Sequence, residues 1–217
     1  LYAVLEATGI DRLEALDLDL EFTDWRQNVD YYLERAVRCV ERSKPDVVCF
    51  SCKAAQFPFA ALLTRRLKLQ HHDVKVVMGG WMPTLAPETV LRLSGCDAVI
   101  RGEGERSLPG LIKKINDPEW SIQGVSYTLL GEEPRIVHNP NSKPLTREEF
   151  DNLPLPKYDA LPPMERYQPN HRKRCFSVEA SRGCPNHQCI FCWNSTNNCE
   201  TSWRAKSPRK VVKEIRH

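Results

Sequence analysis

Val74-Lys-Val-Val-Met-Gly-Gly-Trp81 is the stretch on which the fold turns. A run this short, apolar but for Lys75 and closed by paired glycines, suits a strand buried on both faces. Two runs of the same kind flank it, Asp46-Val-Val-Cys-Phe50 behind Pro45 and Asp97-Ala-Val-Ile100. Segments with helical spacing lie between them. Tyr32, Leu33, Ala36, Val37 and Val40 predict a helix over Val29–Arg42, and further helices are expected over Phe57–Leu69, Pro87–Leu93 and Ser107–Ile115. Short strands alternating with helices predict an α/β fold with a doubly wound parallel sheet. Right-handed crossovers place every strand C-terminus on one edge, where ligands usually bind. That edge carries Ser51-Cys-Lys53, Gly79-Gly-Trp81 and Arg101-Gly-Glu-Gly-Glu105.

Outward from this core, Leu1–Thr8 reads as a helix stopped by Gly9, and Leu13–Leu20 as a strand. Val125–Leu129 and Arg135–His138 flank a Gly131-Glu-Glu-Pro134 turn and predict a hairpin. Asn139–Asn170 is proline-rich and reads as a linker wrapped over the surface. Cys175–Glu179 is then a fresh strand, followed by a cysteine loop and a helix whose Ser207-Pro208 start suits N-cap and N1. The expected division is an α/β domain over 1–138, a linker over 139–172 and a third segment over 173–217. The chain opens on Leu1 inside a helix and stops at His217 inside another, so it reads as a fragment of a longer protein.

Composition narrows the function. Among 217 residues, 31 basic side chains against 28 acidic leave a net charge of +3, too balanced for a nucleic-acid binder held by bulk charge. A hydrophobic share of 41% excludes a disordered chain. Nine cysteines fall short of the roughly 8–10% of a disulfide scaffold. No apolar run reaches the roughly 18 residues of a membrane span, and no signal peptide is visible, so a soluble cytoplasmic protein is expected. The basic stretch His171-Arg-Lys-Arg174 reads as a solvated loop, not a nucleic-acid site.

Ser181-Arg-Gly-Cys-Pro-Asn-His-Gln-Cys-Ile-Phe-Cys192 carries the chemistry. Three thiols, Cys184, Cys189 and Cys192, stand in one Gly/Pro-bearing loop, and soft thiolates select zinc, copper(I) or iron–sulfur clusters. With Cys199 as a fourth ligand the set is a structural zinc site; with three ligands, a [4Fe–4S] cluster keeps one iron open. His187 reads as a solvated loop residue. Cys49, Cys52 and Cys96 read as small buried or semi-buried residues.

Glu179-Ala-Ser-Arg-Gly-Cys-Pro185, Cys189-Ile-Phe-Cys192 and Trp203-Arg-Ala-Lys-Ser-Pro-Arg-Lys-Val-Val-Lys-Glu-Ile215 resemble the start of a radical S-adenosylmethionine (SAM) barrel. Val76–Thr84, Cys96–Glu105 and Gly124–Tyr127 resemble the cobalamin (B12)-binding domain that precedes this barrel in one large subgroup. The resemblance implies a Rossmann/flavodoxin-like cobalamin-binding domain followed by the first unit of a (β/α) barrel. It implies cluster ligands Cys184, Cys189 and Cys192, with Phe191 beside the SAM adenine. It puts the nucleotide tail of cobalamin at Gly79 and Gly80, with Gly102 and Glu103 on the same edge, although a tight strand-to-helix turn alone would also use these glycines. The implied reaction is methyl transfer to an unactivated carbon of a small-molecule substrate through a 5′-deoxyadenosyl radical, with a flavodoxin or ferredoxin as electron donor. Cyclisation or rearrangement by the same architecture, a related enzyme without cobalamin, and a non-catalytic binding module with a zinc loop are the alternatives. One departure stands out: the family loop separates its first two cysteines by three residues, and here Cys184 and Cys189 are separated by four. In a flavodoxin-like order a strand ahead of Leu1 would be central, which predicts a gap in the sheet of this chain.

Overall fold

The structure, a computed structural model, describes residues 1–10, 12–18, 24–167, 177–186, 189, 192 and 203–217. Its helices are α1 (Tyr2–Ala7), α2 (Val29–Ser43), α3 (Phe57–Gln70), α4 (Trp81–Leu85), α5 (Pro87–Ser94), α6 (Gly104–Lys113), α7 (Arg147–Asp151) and α8 (Pro208–Ile215). Its strands are β1 (Val47–Ser51), β2 (Lys75–Gly79), β3 (Ala98–Ile100), β4 (Val125–Leu129), β5 (Arg135–His138), β6 (Ser181–Arg182) and β7 (Arg204–Ala205). The chain divides into two compact units, Glu21–Ser142 and Leu1–Leu20 with Lys143–His217. Among the described residues no helix is long and apolar enough to cross a membrane.

The Glu21–Ser142 unit holds the expected α/β sheet. Its five-stranded sheet runs β1-β2-β3-β4-β5, with β1, β2 and β3 parallel. The middle strands are buried along their length, through Val76, Val77, Met78, Ala98, Val99 and Ile100, which is why their sequences are apolar without alternation. The hairpin forms as expected and also extends the sheet: β4 pairs antiparallel with β3, from Ala98 opposite Tyr127 to Ile100 opposite Val125. Without it the outer edge of β3 would carry unpaired backbone donors and acceptors. The expected gap is absent, because β1 and β2 pair directly from Val47 opposite Lys75 to Ser51 opposite Gly79. The helices begin and end where local chemistry dictates. The Asn28 side chain accepts from Tyr31 N at 3.2 Å to open α2, and Gly95, left-handed at φ +70°, stops α5. α4 was not expected from the sequence; it fills the turn between β2 and α5.

The second unit departs further from expectation. Residues 13–17 form no strand, and residues 19–20 lie outside the described set. Side chains make the contacts here instead: Tyr2 Oη donates to the Leu13 carbonyl at 2.8 Å, and Tyr167 Oη to the Asp17 side chain at Oδ2, 3.0 Å. Residues 177–180 are likewise not a strand, and Cys175 lies outside the described set. Among the described residues of this unit the ladder forms at β6 against β7, which bracket the cysteine stretch in sequence. The proline-rich segment holds α7, opened by a capping box in which Thr146 and Glu149 satisfy each other's backbone. It also supplies two buried apolar side chains, Leu145 and Phe150.

Candidate functional site

Three strand exits meet at the C-terminal edge of the parallel sheet, and hydrogen bonds lace them together. Cys52 N donates to Gly79 O at 2.8 Å, and Met82 N to Cys52 O at 3.1 Å. Thr84 Oγ1 donates to Gly80 O at 2.7 Å and accepts from Gly102 N at 3.0 Å. The glycines divide into two kinds. Gly80 has φ +98°, and a Cβ there would stand 2.9 Å from both N and O of Cys52, so the close approach of two backbone turns explains it. Gly79 has no such need: a Cβ would meet only Ile100 Cβ, at 3.9 Å. Gly102 has φ +78°, with nothing within 4 Å of a would-be Cβ. Gly79 and Gly102 therefore leave backbone open at the strand ends, as a bulky ligand requires. Glu103, half-buried, stands at the N-cap of α6 in extended backbone. Trp81 is half exposed beside them.

The loop after β3 is buttressed from the hairpin side. Arg101 N donates to Gly124 O at 2.8 Å. The Arg101 guanidinium reaches Asn141 Oδ1 at 2.7 Å and the Asn139 carbonyl, while its Nε is buried without a hydrogen-bond partner. Burial holds the Arg101 pKa below its ordinary value. Gly124, at φ +78°, admits no side chain, since a Cβ would come within 3.0 Å of Ser107 Oγ and 3.1 Å of Arg101 O. Cys52 and Cys96 are buried, as expected, and Cys49 is exposed on β1, which among the described residues has a neighbour on one side only. Burial pushes the Cys96 thiol up to about 11, so it stays protonated and inert at neutral pH.

In the second unit, the ends of the cysteine loop are gripped by side chains of α7 and its flank. Arg182 Cζ and Lys206 Nζ both stand over the Phe150 ring, 4.7 and 5.0 Å from its centroid. Arg182 is held in a two-point ion pair by Glu179, at 3.0 and 2.8 Å. Lys206 Nζ meets both oxygens of Glu214 on α8, at 2.8 and 2.9 Å. Arg204 Nη1 donates to Leu145 O at 2.5 Å, and Ser207 donates to Asp151 through N at 2.5 Å and Oγ at 2.9 Å. The proline-rich segment thus clamps the base of the loop.

Within the loop, Cys184, Cys189 and Cys192 are half-buried and outside any disulfide. Cys184 Sγ donates to Asn186 O at 3.5 Å, Asn186 Nδ2 to Cys189 Sγ at 3.6 Å, and Cys192 N to Cys189 O at 3.1 Å. Among the described residues no three His, Cys, Asp or Glu side chains converge on a point a metal ion could occupy. The donor set nevertheless suits an iron–sulfur cluster, being three soft thiols on one short loop. Phe191, His187, Cys199 and His171–Arg174 lie outside the described residues. Sequence reasoning missed Thr84, Asn139 and Asn141 on the sheet edge and Phe150, Lys206 and Glu214 at the loop base. A lone threonine in a short turn and an aromatic among prolines carry no periodic signal, and their partners are distant in sequence.

Comparison with known proteins gives this geometry a family. The chain is 31% identical over 216 residues to an uncharacterised methyltransferase of Pyrococcus horikoshii, covering 98% of this chain and 42% of the relative. It is 29% identical to the hopanoid C-3 methylase of Methylococcus capsulatus, over 83% of this chain and 34% of that protein. It is 25% identical to the anaerobic magnesium-protoporphyrin IX monomethyl ester cyclase of Rubrivivax gelatinosus, over 91% and 35%. The chain therefore spans well under half the length of these curated relatives. The fold matches the apo cobalamin-dependent SAM radical enzyme OxsB with a TM-score of 0.72, at 20% identity, over 99% of this chain and 28% of that one. The family profile described as the B12 binding domain matches residues 1–112, about half of the chain and nearly all of the parallel sheet with its open glycine edge. The chain belongs to the B12-binding domain family.

Proposed function

We propose that this chain is part of a cobalamin-dependent radical SAM enzyme that transfers a methyl group to an unactivated carbon of a small-molecule substrate. The observation that carries the reading is the presence, in one chain, of a B12-binding sheet edge with open backbone at Gly79 and Gly102 and of the three-thiol loop Cys184, Cys189 and Cys192. When bound, cobalamin carries the methyl group and the cluster delivers an electron to SAM. The chain's own residues bind and position. Gly79, Gly102 and Glu103 line the edge that takes cobalamin, with Gly80 fixing the turn beside them. Cys184, Cys189 and Cys192 would be the cluster ligands, and Phe191, outside the described residues, would meet the SAM adenine. In this reading the segment over 173–217 opens a barrel as its first βα unit, with α8 as the helix and no strand among residues 177–180, after the domain over 1–138 and the connection over 139–172. A flavodoxin or ferredoxin supplies the electron, and a cytoplasmic compartment keeps the thiols reduced. The second reading is ring closure by the same architecture, favoured by the similarity to a cyclase.

The test is anaerobic reconstitution with iron and sulfide, followed by metal analysis and a visible spectrum. A brown protein with about four irons per chain, lost on Cys184→Ala, Cys189→Ala or Cys192→Ala, is expected. Colourless protein with one zinc per chain, lost on Cys199→Ala, would replace the enzyme reading with a binding module.

A further inference from the structure

We propose that Thr84 is a positioning residue for cobalamin, a role that rests on the cobalamin reading of the sheet edge. The β1 and β2 exits are tied through backbone groups, Cys52 N to Gly79 O and Met82 N to Cys52 O. The β3 exit is joined to the β2 exit through a side chain: the Thr84 hydroxyl accepts from Gly102 N at 3.0 Å and donates to Gly80 O at 2.7 Å. A hydroxyl has one proton to give and lone pairs to receive, so it is suited to hold both loops at once. Thr84 is itself fixed, its own N donating to Gly80 O at 3.1 Å.

Gly102 needs such a tether. It is exposed, left-handed at φ +78°, and among the described residues no atom beyond its chain neighbours lies within 4 Å of where its Cβ would be, so packing from these residues on that side does not hold it. Without the hydroxyl this residue samples more of backbone space, and a ligand must order it on binding. With the hydroxyl in place the ordering is done in advance, and affinity rises accordingly. Arg101 and Gly124 anchor the hairpin side of the same loop, so Thr84 acts on the side that faces the β2 exit. The identity of the side chain is then specific: valine has the same shape but neither donor nor acceptor, whereas serine keeps both.

The test compares wild type, Thr84→Val and Thr84→Ser by three measurements: hydroxocobalamin titration followed by absorbance, hydrogen exchange at the Gly102 amide without ligand, and thermal melting. Thr84→Val is expected to weaken hydroxocobalamin binding about tenfold and to speed Gly102 exchange by a similar factor, with the melting temperature nearly unchanged. Thr84→Ser is expected to restore both. Wild-type affinity in Thr84→Val, or failure of Thr84→Ser to rescue, overturns the proposal. So does a loss of affinity accompanied by faster exchange throughout the sheet and a lowered melting temperature, because that is a structural role. Wild type that takes up no hydroxocobalamin overturns the cobalamin reading and the proposal with it, whereas binding that is indifferent to Thr84 overturns the proposal alone.

Discussion

Replacing Glu214 with alanine removes the carboxylate that pairs with the nearly buried Lys206 ammonium. The Lys206 side chain is 5% exposed and that of Glu214 1%, and their charged atoms meet at 2.8 and 2.9 Å. After the replacement Lys206 keeps the Phe150 face at 5.0 Å, a contact worth about 2 kcal/mol when desolvated. It also keeps Lys210, whose ammonium lies 3.9 Å from the same carboxylate and then becomes only a repulsive neighbour. Stranding one member of a buried pair typically costs about 3–5 kcal/mol, a large share of the roughly 5–15 kcal/mol that holds a domain folded. Lys206→Met with Glu214→Leu removes both charges at similar volume and is expected to fall within about 1 kcal/mol of wild type or above it. Denaturant unfolding, read together with hydrogen exchange at Arg204–Lys206, measures both variants. A Glu214→Ala loss below about 1 kcal/mol, or a double replacement as damaging as the single one, would refute the view that the pair is buried and mutually dependent.

The two adjacent glycines on the sheet edge are expected to respond differently. Gly80→Ala forces φ +98° on an alanine whose Cβ stands 2.9 Å from Cys52 backbone, so it destabilises by about 1–3 kcal/mol. Gly79→Ala is expected to melt as wild type does but to bind hydroxocobalamin more weakly, and equal melting of the two variants would contradict the division drawn here. Asp151 gives a pH dependence. The Ser207 backbone N–H, then its hydroxyl, hold the Asp151 carboxyl below its ordinary value. A folded-state pKa below the unfolded one, about 3.9, means that the stabilisation is complete above that pH and fades as pH falls through the lower, folded value. The melting advantage of wild type over Asp151→Asn should therefore hold at neutral pH and shrink below about pH 4. A constant difference across that range would show the carboxylate charge to be irrelevant.

Much of the α/β unit was legible because its signals are local. Val76–Met78 and Ala98–Ile100 are apolar without alternation since both faces are covered, and Val29–Arg42 shows its core stripe at helical spacing. Leu13–Leu20 and Cys175–Glu179 misled for the opposite reason: alternation or β-branching marks a willing strand, but a strand needs a partner. In the second unit the described pairing is β6 with β7. The proline-rich segment misled through composition, which excludes long regular elements and says nothing about a single Phe150 carried into a core by one capped turn.

By itself the sequence determined the parallel sheet, the edge on which its strands end, and the three thiols of one loop, since periodicity, glycine placement and cysteine spacing are short-range properties of the chain. Only the tertiary structure decided that Gly80 answers to the Cys52 backbone while Gly79 and Gly102 face open space. It alone joined Thr84 to Gly80 and Gly102, Arg101 to Asn139 and Asn141, and Phe150 to Arg182 and Lys206. Apart from Thr84 and its loops, these partners lie tens of residues apart, and what selects them is the penalty for leaving a buried donor or charge unpaired, which takes effect only once the chain has closed around it.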